Sequence, residues 1–292
     1  MEGYKPTLVR NAGAIFLTKP GGIVALLGGA VQTSGTIMAK TGSVGLGAGE
    51  QITLTFDQAG SFGIAVDQPL SEVAVDFEGN PVSSAILQSG LISGAYVLVK
   101  ANALPGLFNR LISLPSGVIE AVGVINRNGR IELIGQGGEL YSNGTLRANG
   151  NSENVNGGEI LIWATKVVMG AGSRVTANAA EGGKAGSVSL IGDQKVVLSH
   201  GSRIEAKASG RDGQGGSVRV TSSRPKVDGE VVFENGAVID VSGGSSSGDA
   251  GDVELSAAEV GFGGNLVAQA QTGFTGGSLL VDPLNKIGRA HF

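Results

Sequence analysis

A glycine followed by alternating aliphatic residues recurs along this chain. It reads GIVALLG from Gly22, GSVGLGAG from Gly42, GAYVLVK from Gly94, GRIELIG from Gly129 and GEILIWA from Gly158. Later copies are GSVSLIG from Gly186, GSVRVTS from Gly216, GDVELSA from Gly251 and GSLLVDP from Gly277. The second position after each glycine is Val24, Val44, Tyr96, Ile131, Ile160, Val188, Val218, Val253 or Leu279. The fourth is Leu26, Leu46, Leu98, Leu133, Ile162, Leu190, Val220, Leu255 or Val281. Both positions are apolar throughout, Tyr96 being the one amphipathic occupant, and the residue between them varies. That is the period-two alternation of a strand with one face buried.

A second line accompanies the first: GTIMA, GVIEA, GTLRA, GSRVTA, GSRIEA, GAVIDV and GNLVAQA, each a turn glycine and a short strand. A third apolar pair often stands between them, as in KVVM, KVVL and EVVF. From Gly158 the repeat spacing is 28, 30, 35 and 26 residues. These segments lack the i, i+3, i+4, i+7 pattern of a helical repeat and the aromatic signatures of propeller blades. The spacing predicts an all-β fold, a single-stranded right-handed parallel β-helix with three short strands per coil. Coils stack about 4.8 Å apart, so Val188 should lie over Ile160 and Val218 over Val188. One coil cannot bury its apolar face alone, which is why the line repeats.

Two stretches interrupt the period. Residues 57–90 read as a long excursion. Residues 101–116 place Leu104, Leu107, Phe108, Leu111 and Ile112 at helical spacing between Pro105 and Pro115, which predicts a short covering helix. The expected organisation is one continuous β-helix over 1–292. Residues 1–56 form the first coils, 57–116 the excursion with its helical cover, and 117–292 the regular coils.

Composition narrows the function classes. The chain has 292 residues, 51 of them glycine, with 41% hydrophobic, 16% charged and 4% aromatic. It is too apolar for a disordered chain. The net charge is −4 with no basic block, which argues against a nucleic-acid partner. No run of 18 apolar residues is present for a transmembrane helix. The N-terminus lacks the basic start and apolar stretch of a signal peptide. There is no cysteine, which removes disulfides, thiolate chemistry and Cys-type zinc sites.

The stretches NAGAIFLTKPGGIVALLGGAVQTSGTIMAKTGSVGLGAGEQITLTF, INRNGRIELIG and GGSLLVDP resemble the filamentous-haemagglutinin-like exoproteins of bacterial two-partner secretion. The resemblance covers almost the whole chain and is strongest over 11–67 and 118–158. It implies a right-handed parallel β-helix, an outer-membrane two-partner secretion transporter as partner, and a secreted or cell-surface location. It also implies adhesion, biofilm or contact toxicity, with a host surface glycan or protein as the thing touched. The family's signal peptide and Asn-Pro-Asn-Gly motif are not among these residues, the only Asn-Pro being Asn80-Pro81. The chain is therefore expected to begin near the end of the secretion domain and continue into the shaft.

A parallel β-helix can also carry polysaccharide chemistry, which needs two carboxylates on facing positions. Glu205 and Asp240 follow the ladder isoleucine in successive coils, with Thr176 in the coil before, and form the candidate acidic pair. The plainer reading is a solvated outer face with Arg203 nearby. Trp163, the only tryptophan, falls on the outward phase beside Leu161 and is a candidate sugar or partner contact; the alternative is packing under a loop or the excursion. Arg174 and Arg203 share one slot, a short basic strip that is either solubilising or an anion site. His200 and His291 lie far apart in sequence, and His200, before a turn glycine, reads as a surface turn residue and not a base or metal ligand. Asp249 and Asp252 read as acidic turn residues, since the tandem nine-residue period of a calcium roll is missing. No catalytic residue, metal or cofactor is expected. The leading expectation is a structural and adhesive rod. The alternatives are a polysaccharide-active β-helix enzyme and a self-assembling extracellular fibre subunit associating end to end.

Overall fold

The computed structural model describes residues 6–56, 62–123, 128–223 and 228–283. Short strands pair in parallel from coil to coil and build three ladders around one core. Eight parallel pairings link nine rungs in the first ladder, from Ile23–Gly28 to Ser278–Pro283. At the usual strand spacing that is about 38 Å of parallel β-helix. Ile160 pairs with Val188 and Val188 with Val218, as expected from the glycine-aligned text. All three side chains are buried.

The other two ladders follow the same logic. Ile86, Ile112, Leu140, Val167, Val196 and Val231 stack in the second. Ile92, Ile119, Leu146, Val175, Ile204 and Ile239 stack in the third. Each side chain sits on its equivalents above and below, so one continuous aliphatic core results. Full burial of each such residue contributes about 1.5–3 kcal/mol.

The recurrent glycine opening the first ladder has a packing cause. A Cβ added at Gly158 would meet the carbonyl oxygen of Gly129, one at Gly186 that of Gly158, and one at Gly216 that of Gly186. Gly251 and Gly277 continue the series. Backbone lies on backbone along this edge, and no side chain fits between.

One copy of the repeat is set off by a residue. Gly94 pairs with Ala39 and Ala121 in the third ladder, so it is not the turn glycine of its coil. Val97 and Val99 are the inward residues, pairing with Val44 and Leu46. Tyr96 and Leu98, expected inward, point outward. There they meet an antiparallel hairpin, Gln51–Phe56 with Phe62–Gln68. Phe62, Ile64 and Leu98 form the buried centre of a satellite core that also takes in Ile23, Leu27, Tyr96 and Ile134. Phe62 meets the Tyr96 ring edge-on at 6.5 Å. The outward Gly45 leaves room for this cover, since a Cβ there would strike the Phe62 ring.

The expected helix over 101–116 is not formed, and no helix occurs among the described residues. Gly106 turns the chain at φ 83° after Pro105. The Leu104 and Leu111 N–H groups donate to the carbonyls of Leu70 and Glu139, outside the segment. Ile112–Leu114 then enters the second ladder between Ile86 and Leu140. The apolar side chains were spaced as on a helix, but neighbouring coils claim the backbone. Within the stretch read as an excursion, Ile86–Gln88 already pairs with Val31–Thr33 as part of a coil. His291 lies outside the described residues.

Candidate functional site

Two outward surfaces carry the sequence candidates. The first lies on the strand Glu159–Met169. Ile160 and Ile162 point into the core, so Leu161 and Trp163 point out, both half-buried. Trp163 pairs with Ile134 in the coil before and Ile191 in the coil after. Leu161 lies between Glu132 and Ser189. Ile134 packs against the hairpin core. An outward apolar strip therefore starts under the hairpin and continues past it through Trp163 to Ile191. Farther on the same column turns polar at Thr221 and Ser256.

The indole of Trp163 is held in place. Its Nε1–H donates to Asp193 Oδ1 at 2.9 Å. Asp193 is fixed in turn by the Ser223 hydroxyl at 2.7 Å. The polar edge of the ring is thus spent on the strand Ser187–Leu198 of the following coil, while its apolar body forms the strip. This suits a flat contact with another apolar or sugar surface. Sequence reasoning found Trp163 and Leu161 by their phase. It missed Ile134, Ile191 and Asp193, although the matching slots of the neighbouring copies name the two isoleucines.

The second surface is the outward face of the third ladder. Arg174 pairs with Arg203, and Thr176, Glu205 and Asp240 occupy one column in three successive coils. The basic strip and the acidic pair interlock. Arg203 Nε lies 3.3 Å from Glu205 Oε1. Lys207, which the sequence reading passed over, lies between the acids, with Nζ 2.8 Å from Asp240 Oδ2 and 3.9 Å from Glu205 Oε1. Asn178 Nδ2 donates to Glu205 Oε2 at 3.0 Å. Lys207 stands two residues after Glu205 and so shares its outward phase, a signal legible in the text.

Asp240 is nearly buried. Burial pushes its carboxyl up, but hydrogen bonds from Lys207 and from the Ser242 hydroxyl and N–H outweigh it and hold the group below the ordinary carboxylate range. A glycosidase acid must hold a proton near neutral pH, which calls for a shift the other way. The cluster is built as a neutralised ion network. The described residues contain no group of three or more His, Cys, Asp or Glu side chains placed to hold a metal ion. His200 is a turn residue, its Nδ1 2.7 Å from the Asn235 carbonyl oxygen.

No protein-family model matches this chain, and no curated protein matches it in sequence. Among solved structures, it is similar to the HMW1 secretion domain from Haemophilus influenzae, with a TM-score of 0.64 and 21% sequence identity. The match covers 97% of this chain and 68% of that one. At this identity the likeness is one of fold. It runs through the coils read as shaft as well as those read as secretion domain.

Proposed function

We propose that this chain is a structural, contact-making rod of a secreted bacterial exoprotein of the two-partner secretion type, exported through an outer-membrane transporter. The observation that carries the reading is the continuous coil itself. Among the described residues nine rungs stack in parallel around one core, and the similar structure along 97% of the chain is named a secretion domain. The sequence resemblance points the same way. The outward strip of Leu161, Ile134, Trp163 and Ile191 supplies an apolar contact surface on a rigid support, suited to a glycan or protein at a host or bacterial surface. Adhesion follows from that surface. Catalysis is set aside because the candidate acid pair Glu205 and Asp240 is bridged by Lys207 and Asp240 is held ionised, while among the described residues the other register-paired acids, Glu230 and Glu259, carry Lys195 on Glu230 at 2.6 Å.

The export half of this reading is tested by fusing a secretory signal peptide to the chain and co-expressing it with a two-partner secretion transporter in a Gram-negative host. Transporter-dependent appearance of folded chain in the medium is expected. Retention in the periplasm with every such transporter tried would contradict it.

A second reading, end-to-end self-association, draws on Phe262, Leu280 and Val281, which are exposed on the last described coil. Sedimentation that shifts to larger rods with concentration would support it.

A further inference from the structure

Asparagine is a chemically labile residue, and most so before glycine, whose missing side chain leaves its nitrogen open to attack the asparagine amide. Asn-Gly pairs stand at Asn128, Asn143, Asn149, Asn156 and Asn235. The coil holds three of them by hydrogen bonds to the next coil. Asn143 Oδ1 accepts the Gly172 N–H at 2.6 Å, and its Nδ2 donates to the Pro115 carbonyl at 3.4 Å. Asn149 Oδ1 accepts the Asn178 N–H at 2.9 Å, and Asn156 Oδ1 the Lys184 N–H at 2.8 Å. The nitrogens of Gly150 and Gly157 are engaged as well, donating to the carbonyls of Asn178 and Lys184. Asn128 adjoins residues 124–127, outside the described set.

Asn235 differs from those three. It is exposed, and among the described residues neither its side-chain amide nor the Gly236 N–H has a hydrogen-bond partner. It stands in the turn Glu234–Ala237, closed by the Ala237 N–H on the Glu234 carbonyl at 3.0 Å, with Gly236 at φ 82°. That left-handed position suits glycine alone.

The turn of the preceding coil locks onto this one. The His200 N–H donates to Glu234 Oε2 at 2.8 Å, and the Gly201 N–H to the Gly236 carbonyl at 3.1 Å. The imidazole lies against Gly236, where an added Cβ would collide with the ring. His200 Nδ1 is 2.7 Å from the Asn235 carbonyl oxygen. A carbonyl oxygen carries no proton, so Nδ1 is the donor. This oxygen belongs to the peptide group whose nitrogen is that of Gly236. When that nitrogen loses its proton, the charge spreads onto the oxygen, where the His200 donor already waits to stabilise it.

We infer that Asn235 is a self-modification site, which loses its side-chain amide in the folded chain with the assistance of His200. The Gly236 nitrogen forms a bond to Asn235 Cγ. The Cγ–Nδ2 bond breaks, and ammonia leaves with the proton given up by the Gly236 nitrogen. Water then opens the resulting five-membered imide at either carbonyl, giving aspartate or isoaspartate. No oxidant, reductant or enzyme is needed. Either product places a new negative charge beside Glu234, on the corner between the second and third ladders. The isoaspartate form also lengthens the turn by one backbone carbon. The inference is independent of the contact-rod reading, since it concerns the chain alone.

The test incubates the folded chain at neutral pH and follows each Asn-Gly site by peptide mass spectrometry. Fragmentation separates aspartate from isoaspartate. Asn235 should gain one mass unit at least tenfold faster than Asn143, Asn149 or Asn156 in the same sample. His200→Ala should slow the change at Asn235 at least threefold with the melting temperature unaltered, and Asn235→Gln should abolish it. The same chains held unfolded in urea provide the readout that separates chemical assistance from sequence. There Asn235 should react at a rate similar to the other three sites, and His200→Ala should have no effect. The proposal is overturned if Asn235 reacts no faster than the three held sites in the folded chain. It is equally overturned if His200→Ala leaves the folded rate unchanged or raises it, or slows the unfolded chain to the same degree.

Discussion

Lys207 reaches across one coil to Asp240, its Nζ 2.8 Å from Oδ2. It is the cation that allows Glu205 and Asp240 to sit on adjacent parallel strands. Like charges directly opposite would otherwise destabilise the pairing. Lys207→Met removes the bridge and leaves Asp240 nearly buried without its counter-charge. The expected loss is about 2 kcal/mol at neutral pH, read from the shift in denaturation midpoint.

The same pair sets a pH dependence. In the native chain Asp240 is held below its unfolded value, so its contribution is complete above the ordinary aspartate range near 4. It is lost as pH falls through the folded value. In Lys207→Met, burial is no longer offset by the lysine and the folded value moves up. That variant should therefore recover stability relative to the native chain as pH is lowered from 7 through the aspartate range near 4 toward 3. Denaturation midpoints across this range check the sign, and a difference that stays flat with pH would contradict the assignment.

The turn glycines make a positional prediction. At Gly186 an added Cβ meets the Gly158 carbonyl oxygen, while at Gly276 it meets nothing within 4 Å. Gly186→Ala should cost about 2–3 kcal/mol through backbone overpacking. Gly276→Ala should be neutral or stabilising by up to about 1 kcal/mol. Thermal melts of the two variants distinguish close packing from a general demand for glycine in turns.

The ladders predict alternation at single-residue resolution. Leu190 is buried between Ile162 and Val220, whereas Ser189 faces outward. Leu190→Ala should cost about 3 kcal/mol, and Ser189→Ala less than about 0.5 kcal/mol. Equal effects at the two positions would contradict the register.

The architecture was legible because the repeat states it twice, once in the aliphatic alternation and once in the turn glycine. Ile160, Val188 and Val218 fall into register by simple alignment. The alignment slipped at Gly94 because that glycine ends a strand of the third ladder and does not open the first, and Tyr96 was the visible symptom. The helix over 101–116 was misread for a different reason. Leu104, Leu107, Phe108 and Leu111 share helical spacing, but pairing with neighbouring coils takes the backbone donors of Leu104 and Leu111, a tertiary effect that local pattern does not reveal. On the outer faces, Arg174, Arg203, Glu205 and Asp240 were aligned correctly from the text. Their partner Lys207 lies past the small residue Ala206, where the strand-by-strand reading had stopped.

The central claim is that the rod makes surface contact through its outward strip. It is tested most directly by binding of fluorescently labelled chain to cultured epithelial cells, native against Trp163→Ala and Leu161→Ser. The account predicts saturable binding by the native chain. It predicts at least a tenfold loss in the double variant, with the melting temperature lowered by no more than a few degrees. Binding that is absent, non-saturable or indifferent to both substitutions would contradict it.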